Sequence, residues 1–510
     1  MRGIASPAPP LTQQATSDSA RTDWTGRWVS DALAVRIITS ASSIGVKLHE
    51  LVGLAVRRNP KRAHLLVSTV LGKHVPTDPD LVYASGRLLG ELVADLLTGA
   101  PGDSPPNPHA HTGALVRAAL AGDRSASGDL LGHVNQRQRQ RLDGASAVLA
   151  GTVVVGYAET ATALGHAVAD AIEVPYLHST RRPVEGVRPV GGFEEEHSHA
   201  TSHLLLPEDP ALLVGRSPLV LVDDELSTGT TALNTIEALH DTHPRSRYVI
   251  ATLVDLRSTE DRERMTRFAA GLGVHVDVVA LAAGFVELPS DVLARGQELV
   301  ADTESGLSNG GQNVPVTTSH ALRLTVDWPD GAKEGGRHGF TPEDRHVLDG
   351  AVATLAQQAR PLVAAGQRVH VLGFEELMYA PLRFAQALAA STSAAVTYST
   401  TTRSPVLPVD DGGYAIRTRL AFPAHDNPVD GPGPRFAYNL TSADDLVQPR
   451  FGLLILVVDA DADTDDLHLP GGLLAQLAAS ARQVALVVLP SYRPAARVPS
   501  NSPNVKTPLR

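Results

Sequence analysis

Residues 219–231 read LVLVDDELSTGTT, and the fold of the chain turns on them. Leu219, Val220, Leu221 and Val222 form an apolar run short enough for a buried parallel strand. Two acids, Asp223 and Asp224, follow, then a turn rich in Ser, Thr and Gly, then an amphipathic stretch from Ala232. This order predicts a strand, an anion cradle and a helix. Gly229 permits a tight turn, so the amides of residues 228–231 can converge on an anion while Ser and Thr hydroxyls donate beside them. The helix dipole adds about 0.3–1 kcal/mol and each hydrogen bond to a charged group about 1.5–3 kcal/mol, enough to hold one phosphate. The two acids would repel that phosphate and suit the vicinal hydroxyls of a sugar instead. Acids for a ribose beside amides for its 5-phosphate describe phosphoribosyl pyrophosphate. A plain strand, turn and helix capped by Asp224 or Ser227 is the alternative.

The same order of residues resembles the signature of the type I phosphoribosyltransferases: a hydrophobic strand, two acids, two loosely specified residues, then Ser/Thr, Thr, Gly and a further Ser/Thr. The resemblance implies that Asp223 and Asp224 take the ribose hydroxyls and that Ser227, Thr228, Gly229, Thr230 and Thr231 take the 5-phosphate. Glu225 departs from the apolar residue usual after the acid pair.

Upstream, residues 151–159 (GTVVVGYAE) predict a buried strand ending at Gly156, a loop of Tyr157, Ala158, Glu159 and Thr160, and a helix through Ala169. Open α/β sheets bind ligands at such loops, beyond the carboxyl ends of the strands. In the type I family the corresponding loop receives pyrophosphate. Glu159 does not suit pyrophosphate by charge, and reads as a metal holder, a base-orienting group or a surface acid at a helix start. Residues 174–177 predict a short strand leading into HSTRRPVEG and, after Gly191-Gly192, FEEEHSHATSH. A Gly-hinged segment with adjacent arginines between two strands is what a lid over polyanions requires. Arg181 and Arg182 would neutralise the departing pyrophosphate, since guanidinium forks match phosphate oxygens. His199 or His197 is the expected proton donor or pyrophosphate contact. A metal on His197, His199 and His203 with the acids at 194–196 is the competing reading. Residues 57–79 (RRNPKRAHLLVSTVLGKHVPTDP) join a basic cluster to a candidate strand at 65–70, then place Lys73 and His74 in a solvated turn or an anion-binding one. Strands opening at Leu65, Val153, Val174, Leu219, Tyr248 and Val274, separated by helical stretches, predict a doubly wound parallel sheet flanked by helices.

At 510 residues, with 19% charged and 43% hydrophobic residues, the chain is globular and long enough for two or three domains, each with its own core. A net charge of -11, a pI near 6.0 and no dense Lys/Arg block argue against duplex nucleic acid as a main partner. No apolar run spans a membrane and residues 1–20 lack a signal-type core, so the expected location is the cytoplasm. The absence of Cys excludes disulfides, thiolate metal sites and a Cys nucleophile. The layout expected is a disordered tail at 1–23, a transferase domain at 24–301, a polar linker at 302–319, a second α/β domain at 320–490 and a tail at 491–510.

The second domain echoes the first. HVLG at 370–373, then Phe374, Glu375 and Glu376, a helical stretch and a strand ending TTTRSP parallel residues 153–183. Arg337-His338 before Thr341-Pro342 parallels Lys73-His74 before Pro76-Thr77. The echo fails at the signature, where the strand at 453–458 runs into DADADTDD, whose acids cannot welcome a bare phosphate. The second domain therefore reads as a degenerate duplicate. Together the segments RRNPKRAHLLVSTVLGKH, GYAETATALG, STRRP, EEEHSHATSH, GGRHGF, GFEELMYAP and TTRSP resemble the phosphoribosyltransferases of bacterial tellurite-resistance stress operons, which carry a C-terminal TRSP domain. That resemblance implies an orotate phosphoribosyltransferase-like enzyme making a nucleotide or nucleoside-like metabolite, with operon-encoded partner enzymes. Type I relatives are commonly homodimers. It marks Arg337, His338, Glu375, Glu376, Tyr379, Thr402, Arg403, Ser404, Tyr414 and Asn439 as a candidate second site.

The reaction expected is displacement of pyrophosphate from phosphoribosyl pyrophosphate by a ring nitrogen of a nucleobase-like acceptor, with Mg²⁺ held at Asp223 and Asp224. Asp223, Asp224, Arg181, Arg182 and His199 are the expected catalytic set. A non-catalytic sensor of phosphoribosyl pyrophosphate, and a hydrolase using Asp459 and Asp461 as metal ligands, are the rivals.

Overall fold

The computed structural model describes residues 24–57, 62–99, 110–194, 202–309, 321–426, 433–441 and 450–494. The expected tail at 1–23, His197, His199 and most of the expected linker lie outside the described residues. The helix Val292–Asn309 runs past the boundary expected at 301.

The first half holds β1 (Arg36–Ser42), β2 (Val52–Val56), β3 (His64–Ser68), β4 (Val153–Gly156), β5 (Tyr176–His178), β6 (Gly191–Glu194), β7 (Ser202–Leu205), β8 (Leu219–Leu226), β9 (Arg247–Asp255) and β10 (His275–Glu287). Six of them form one sheet in the order β1-β10-β9-β8-β4-β5, parallel except for β1, which runs antiparallel to β10. The Val- and Leu-rich runs of β4, β8 and β9 are buried, as central parallel strands covered on both faces must be. The expectation for Leu65 needs correction: β3 pairs antiparallel with β2 outside this sheet, and β1 takes the sixth place. The connection between β2 and β3 is short enough for a hairpin, whereas a parallel pair needs a crossover of a dozen residues or more. The polar stretch at 124–149 forms a helix of 26 residues, Arg124–Leu149. Its Arg137 and Arg141 neutralise the buried Glu91 of the helix Pro79–Thr98.

The second half holds β11 (Leu322–Arg323), β12 (Arg368–Gly373), β13 (Ala395–Thr400), β14 (Arg419–Pro423), β15 (Pro434–Tyr438), β16 (Phe451–Asp459) and β17 (Ala481–Leu489). Its parallel sheet runs β11-β17-β16-β12-β13, so that β17-β16-β12-β13 repeats the order β9-β8-β4-β5 of the first half. Each half also carries an antiparallel hairpin, β6–β7 in one and β14–β15 in the other.

The halves interlock. Tyr176 of β5 pairs with Phe340 of the second half, and Tyr398 of β13 pairs with Thr77 of the first, so each parallel sheet carries at its edge a segment lent by the other. The Tyr83 and Tyr379 hydroxyls both donate to Asp170 Oδ2, at 2.8 and 2.6 Å, joining helices from both halves. One hydrophobic core consequently runs through both halves, with a smaller cluster confined to the second, instead of one core for each domain. No helix among the described residues is long and apolar enough to cross a membrane.

Candidate active site

Register builds the first site. Gly156 at the end of β4 lies opposite Val222 of the neighbouring β8, so the loop after one strand emerges beside the acids that follow in the other. The strand continues further than its apolar run, to Leu226, and Asp223, Asp224 and Glu225 sit half-buried in its last residues. Asp224 accepts the Thr160 hydroxyl on Oδ1 at 3.1 Å, and Asp223 Oδ1 accepts the Asp224 amide at 3.0 Å. The Tyr157 amide donates to the Val222 carbonyl at 3.1 Å, and its ring meets Phe193 of the β6–β7 hairpin edge-on at 5.3 Å. The Ala158–Glu159 peptide is cis.

The turn after β8 has the expected form. Gly229 has φ 79° and ψ 3° and is the N-cap of the helix Thr230–Thr242, to which it offers no side chain. The first amides of that helix lack intrahelical acceptors, as those of any helix do. The expected alternative, a cap by Asp224 or Ser227, is not what the helix uses. Thr228 Oγ1 lies 3.1 Å from Thr230 Oγ1 and accepts the Thr230 amide at 3.3 Å. Arg264, one helix later in the chain, donates to the Thr228 carbonyl at 2.7 Å and to Thr230 Oγ1 at 3.3 Å. No local pattern in the sequence marks Arg264, because the fold alone brings the helix Thr259–Leu272 to this turn. Glu225 faces Arg62 at 3.8 Å; burial pushes its carboxyl up, and Arg62 opposes that.

The two arginines of STRRP part company. Arg181 donates through Nε to His203 Nε2 at 3.4 Å, and His203 Nδ1 lies 2.8 Å from Ser179 Oγ, which accepts the Ala158 amide at 3.0 Å. The network is satisfied with the proton on Nδ1, donating to Ser179. Arg182 turns the other way, into the second half, where it lies 2.9 Å from Asp426, 3.4 Å from Asp459 and 3.8 Å from Glu375. Three buried carboxylates draw it there, so its structural place is the second site and not the mouth of the first.

At that second site Glu375 is fully buried between Arg403, at 2.6 Å, and Arg435. Glu376 accepts the Thr180 hydroxyl at 2.7 Å and the Arg181 amide at 3.0 Å, with Arg337 at 3.4 Å. Burial works against its charge, but Arg337 and Arg182 outweigh it and bring the carboxyl down to about 2. Burial and the neighbouring Glu375 push Asp426 up. Glu159 lies 3.6 Å from Arg403 of the second half, which balances its charge.

Of the candidate second-site residues, Arg337, Glu375, Glu376 and Arg403 come together. His338 hydrogen-bonds the Leu206 carbonyl at 2.8 Å, and burial lowers its imidazole to about 4. Thr402 pairs with Phe436, and Ser404 donates its amide to Thr402 Oγ1. The Tyr414 hydroxyl and the Asn439 amide bind backbone carbonyls, of Leu407 and of His74 and Ala415. Asp459 sits against Arg182 and Arg337, while Asp461 is exposed and pairs with Arg493, so the two do not converge as a metal site would require. Among the described residues no three His, Asp or Glu side chains gather to hold a metal ion.

Residues 51–285 match the model of a phosphoribosyl transferase family, and residues 334–477 match that of the TRSP domain found C-terminal to it. No curated protein matches the chain. Among solved structures, adenine phosphoribosyl transferase from Trypanosoma brucei, in complex with AMP, pyrophosphate and ribose-5-phosphate, is 16% identical over 30% of this chain and 68% of its own, with a TM-score of 0.21. Adenine phosphoribosyltransferase from Leishmania tarentolae is 18% identical over 34% and 78%, with a TM-score of 0.23. Orotate phosphoribosyltransferase from Aeropyrum pernix is 20% identical over 32% and 75%, with a TM-score of 0.18.

Proposed function

Because the chain belongs to the phosphoribosyl transferases whose catalytic domain is followed by a TRSP domain, we propose that it transfers ribose 5-phosphate from phosphoribosyl pyrophosphate to a ring nitrogen of a nucleobase-like acceptor. The bond from the anomeric carbon to pyrophosphate breaks, a carbon–nitrogen bond forms, and the proton of the ring nitrogen leaves to solvent or to the released pyrophosphate. The observation that carries this reading is the Thr160–Asp224 hydrogen bond, which ties the loop after β4 to the acids of β8 beside a helix N-terminus that has no side-chain cap.

Asp223 and Asp224 orient the ribose hydroxyls, and their negative charge favours the developing oxocarbenium ion. The amides and hydroxyls of residues 227–231 hold the 5-phosphate, with Arg264 stiffening the turn from behind. Arg181 supplies positive charge on the pyrophosphate side, and Tyr157 with Phe193 walls the loop off from water. Mg²⁺ fits this donor set. An ion that keeps waters and phosphate oxygens in its shell needs one or two protein carboxylates, which Asp223 and Asp224 provide. It would spread the charge of the pyrophosphate leaving group.

The test is pyrophosphate release from phosphoribosyl pyrophosphate and Mg²⁺ across pyrimidine, purine and pyridine bases, with the Asp223→Asn/Asp224→Asn double variant as control. Base-dependent release that the control abolishes supports transfer and names the acceptor class. Tight binding without release for any base overturns transfer in favour of a sensor.

A further inference from the structure

The turn that carries Arg181 is held from outside its own half. Thr180 exchanges backbone hydrogen bonds with Leu204 of β7, which fixes its main chain but neither its hydroxyl nor the next amide. Both of those donors go to a single carboxylate of the second half: Thr180 Oγ1 to Glu376 Oε2 at 2.7 Å, and Arg181 N to Glu376 Oε1 at 3.0 Å. Thr180 Oγ1 in turn accepts the Arg182 amide at 3.0 Å. The Glu376 carbonyl accepts the Thr162 hydroxyl at 3.0 Å, at the start of the helix that follows the loop of Tyr157 to Thr160. One residue of the second half therefore grips both loops on the pyrophosphate side of the first site.

The grip is reciprocal. Counted from Gly156 and Gly373, Glu159 is the counterpart of Glu376, and counted from the ends of β5 and β13, Arg403 is the counterpart of Arg181. Glu159 faces Arg403 at 3.6 Å across the same boundary. Arg337, from the second half, lies 3.4 Å from Glu376, so the buried carboxylate arrives with its charge already matched and can offer both oxygens to the turn.

We propose that the TRSP half is the built-in partner of the transferase site, with Glu376 as the positioning residue that fixes the Thr180–Arg181 turn where the leaving pyrophosphate is received. This rests on the reading of the first site given above. Glu376 touches no reacting atom; it acts through the place it gives to Arg181.

The test uses the full chain with Mg²⁺ and two probes in titration calorimetry, inorganic pyrophosphate and ribose 5-phosphate. Glu376→Ala is expected to weaken pyrophosphate by about tenfold or more, as loss of roughly 1.4 kcal/mol does, and to leave ribose 5-phosphate nearly unchanged. Glu376→Gln, which keeps one strong acceptor, falls between. Hydrogen exchange at the Arg181 amide rises in Glu376→Ala. If Glu376→Ala does not fold, because Arg337 and Arg182 lose a counter-charge, Thr180→Val removes the hydroxyl donor with no change of charge and is expected to act in the same direction. Unchanged pyrophosphate affinity in both variants, or equal weakening of both probes, overturns the inference. A wild-type chain that binds neither probe overturns instead the transferase reading on which it stands.

Discussion

Laid side by side, the loops of the two halves match residue for residue: Gly156-Tyr157-Ala158-Glu159 against Gly373-Phe374-Glu375-Glu376, and Ser179-Thr180-Arg181-Arg182 against Thr401-Thr402-Arg403-Ser404. The hydrogen bonds match too. Ala158 N to Ser179 Oγ at 3.0 Å has its counterpart in Glu375 N to Thr401 Oγ1 at 3.1 Å, and Arg182 N to Thr180 Oγ1 at 3.0 Å in Ser404 N to Thr402 Oγ1 at 3.2 Å. Two positions break the match. Ala158 stands where the second half has Glu375, and Ser404 stands where the first half has Arg182. The second crevice therefore contains its own carboxylate, Glu375, and receives the Arg182 guanidinium from the first half, while what the first half receives, Glu376, is spent on the Thr180 hydroxyl and the Arg181 amide. A cleft at the carboxyl ends of parallel strands keeps a need for a ligand only where the chain leaves its charges for the ligand to match. In the second half the protein supplies both signs itself.

The largest expected effect is on stability and lies in the second half. Glu375→Ala takes from Arg403 and Arg435 their nearest buried counter-charge, leaving only the longer contacts to Asp426 and Glu159, and should cost about 3 kcal/mol in urea unfolding. The double variant Arg182→Ser/Glu375→Ala removes one charge of each sign, so it should cost less than the sum of the singles. Additive losses would break the claim that these groups form one network.

Next comes chemistry, which should lie in the first half alone. Asp224→Asn is expected to lower pyrophosphate release by about 10²–10³-fold, the scale of losing a charge aimed at the transition state. Asp459→Asn should lower stability and leave kcat near wild type, since Asp459 faces Arg182 and Arg337. Loss of turnover in Asp459→Asn with retention in Asp224→Asn would reverse the comparison.

Much of this was legible in the chain. The apolar runs of β4, β8 and β9 announce a buried parallel sheet because their period is local, and Gly229 and its neighbours announce the turn because backbone and hydroxyl chemistry there is local as well. The echo between halves was legible for the same reason. What was not legible depends on partners far apart in sequence. The run at Leu65 has strand character, but pairing with β2 instead of the main sheet is a tertiary choice. Arg181 and Arg182 are neighbours of identical type, and only the position of Glu375, Asp426 and Asp459 sends one of them across. Arg264 reaches the phosphate turn from the next helix, a relation no spacing encodes.

The acid limb of stability should sharpen the contrast. Glu376, held at about 2 against an ordinary value of 4.5, stabilises the fold fully above pH 4.5, and that contribution is lost as pH falls towards 2. The shift corresponds to about 3 kcal/mol, and Glu376→Gln should flatten this limb in urea titrations between pH 2 and 5. Glu334 has the opposite sign. Burial raises it to about 7, so its contribution is present below pH 4.5 and is lost as pH rises to 7. A limb that persists unchanged in Glu376→Gln would assign it to other carboxylates.

The smallest effect tests a turn of the first half that the second does not copy. Gly229 holds φ 79°, whereas no residue of 459–466 has positive φ. An alanine there meets two costs of different kinds. Its Cβ would come within 2.9 Å of Met265 Cε, the free end of a flexible side chain that can move aside. The left-handed backbone has no such escape and costs about 1–2 kcal/mol for a residue with a Cβ. If the helix amides hold the 5-phosphate, relaxing that strain turns them away from it. Gly229→Ala should then weaken ribose 5-phosphate by up to about tenfold while pyrophosphate binding stays near wild type. That is the reverse of the pattern expected for Glu376→Ala, so the two variants together divide the site into a phosphate turn built by the first half and a pyrophosphate side braced by the second. Weakening of pyrophosphate alone in Gly229→Ala would place the anion cradle elsewhere and dissolve that division.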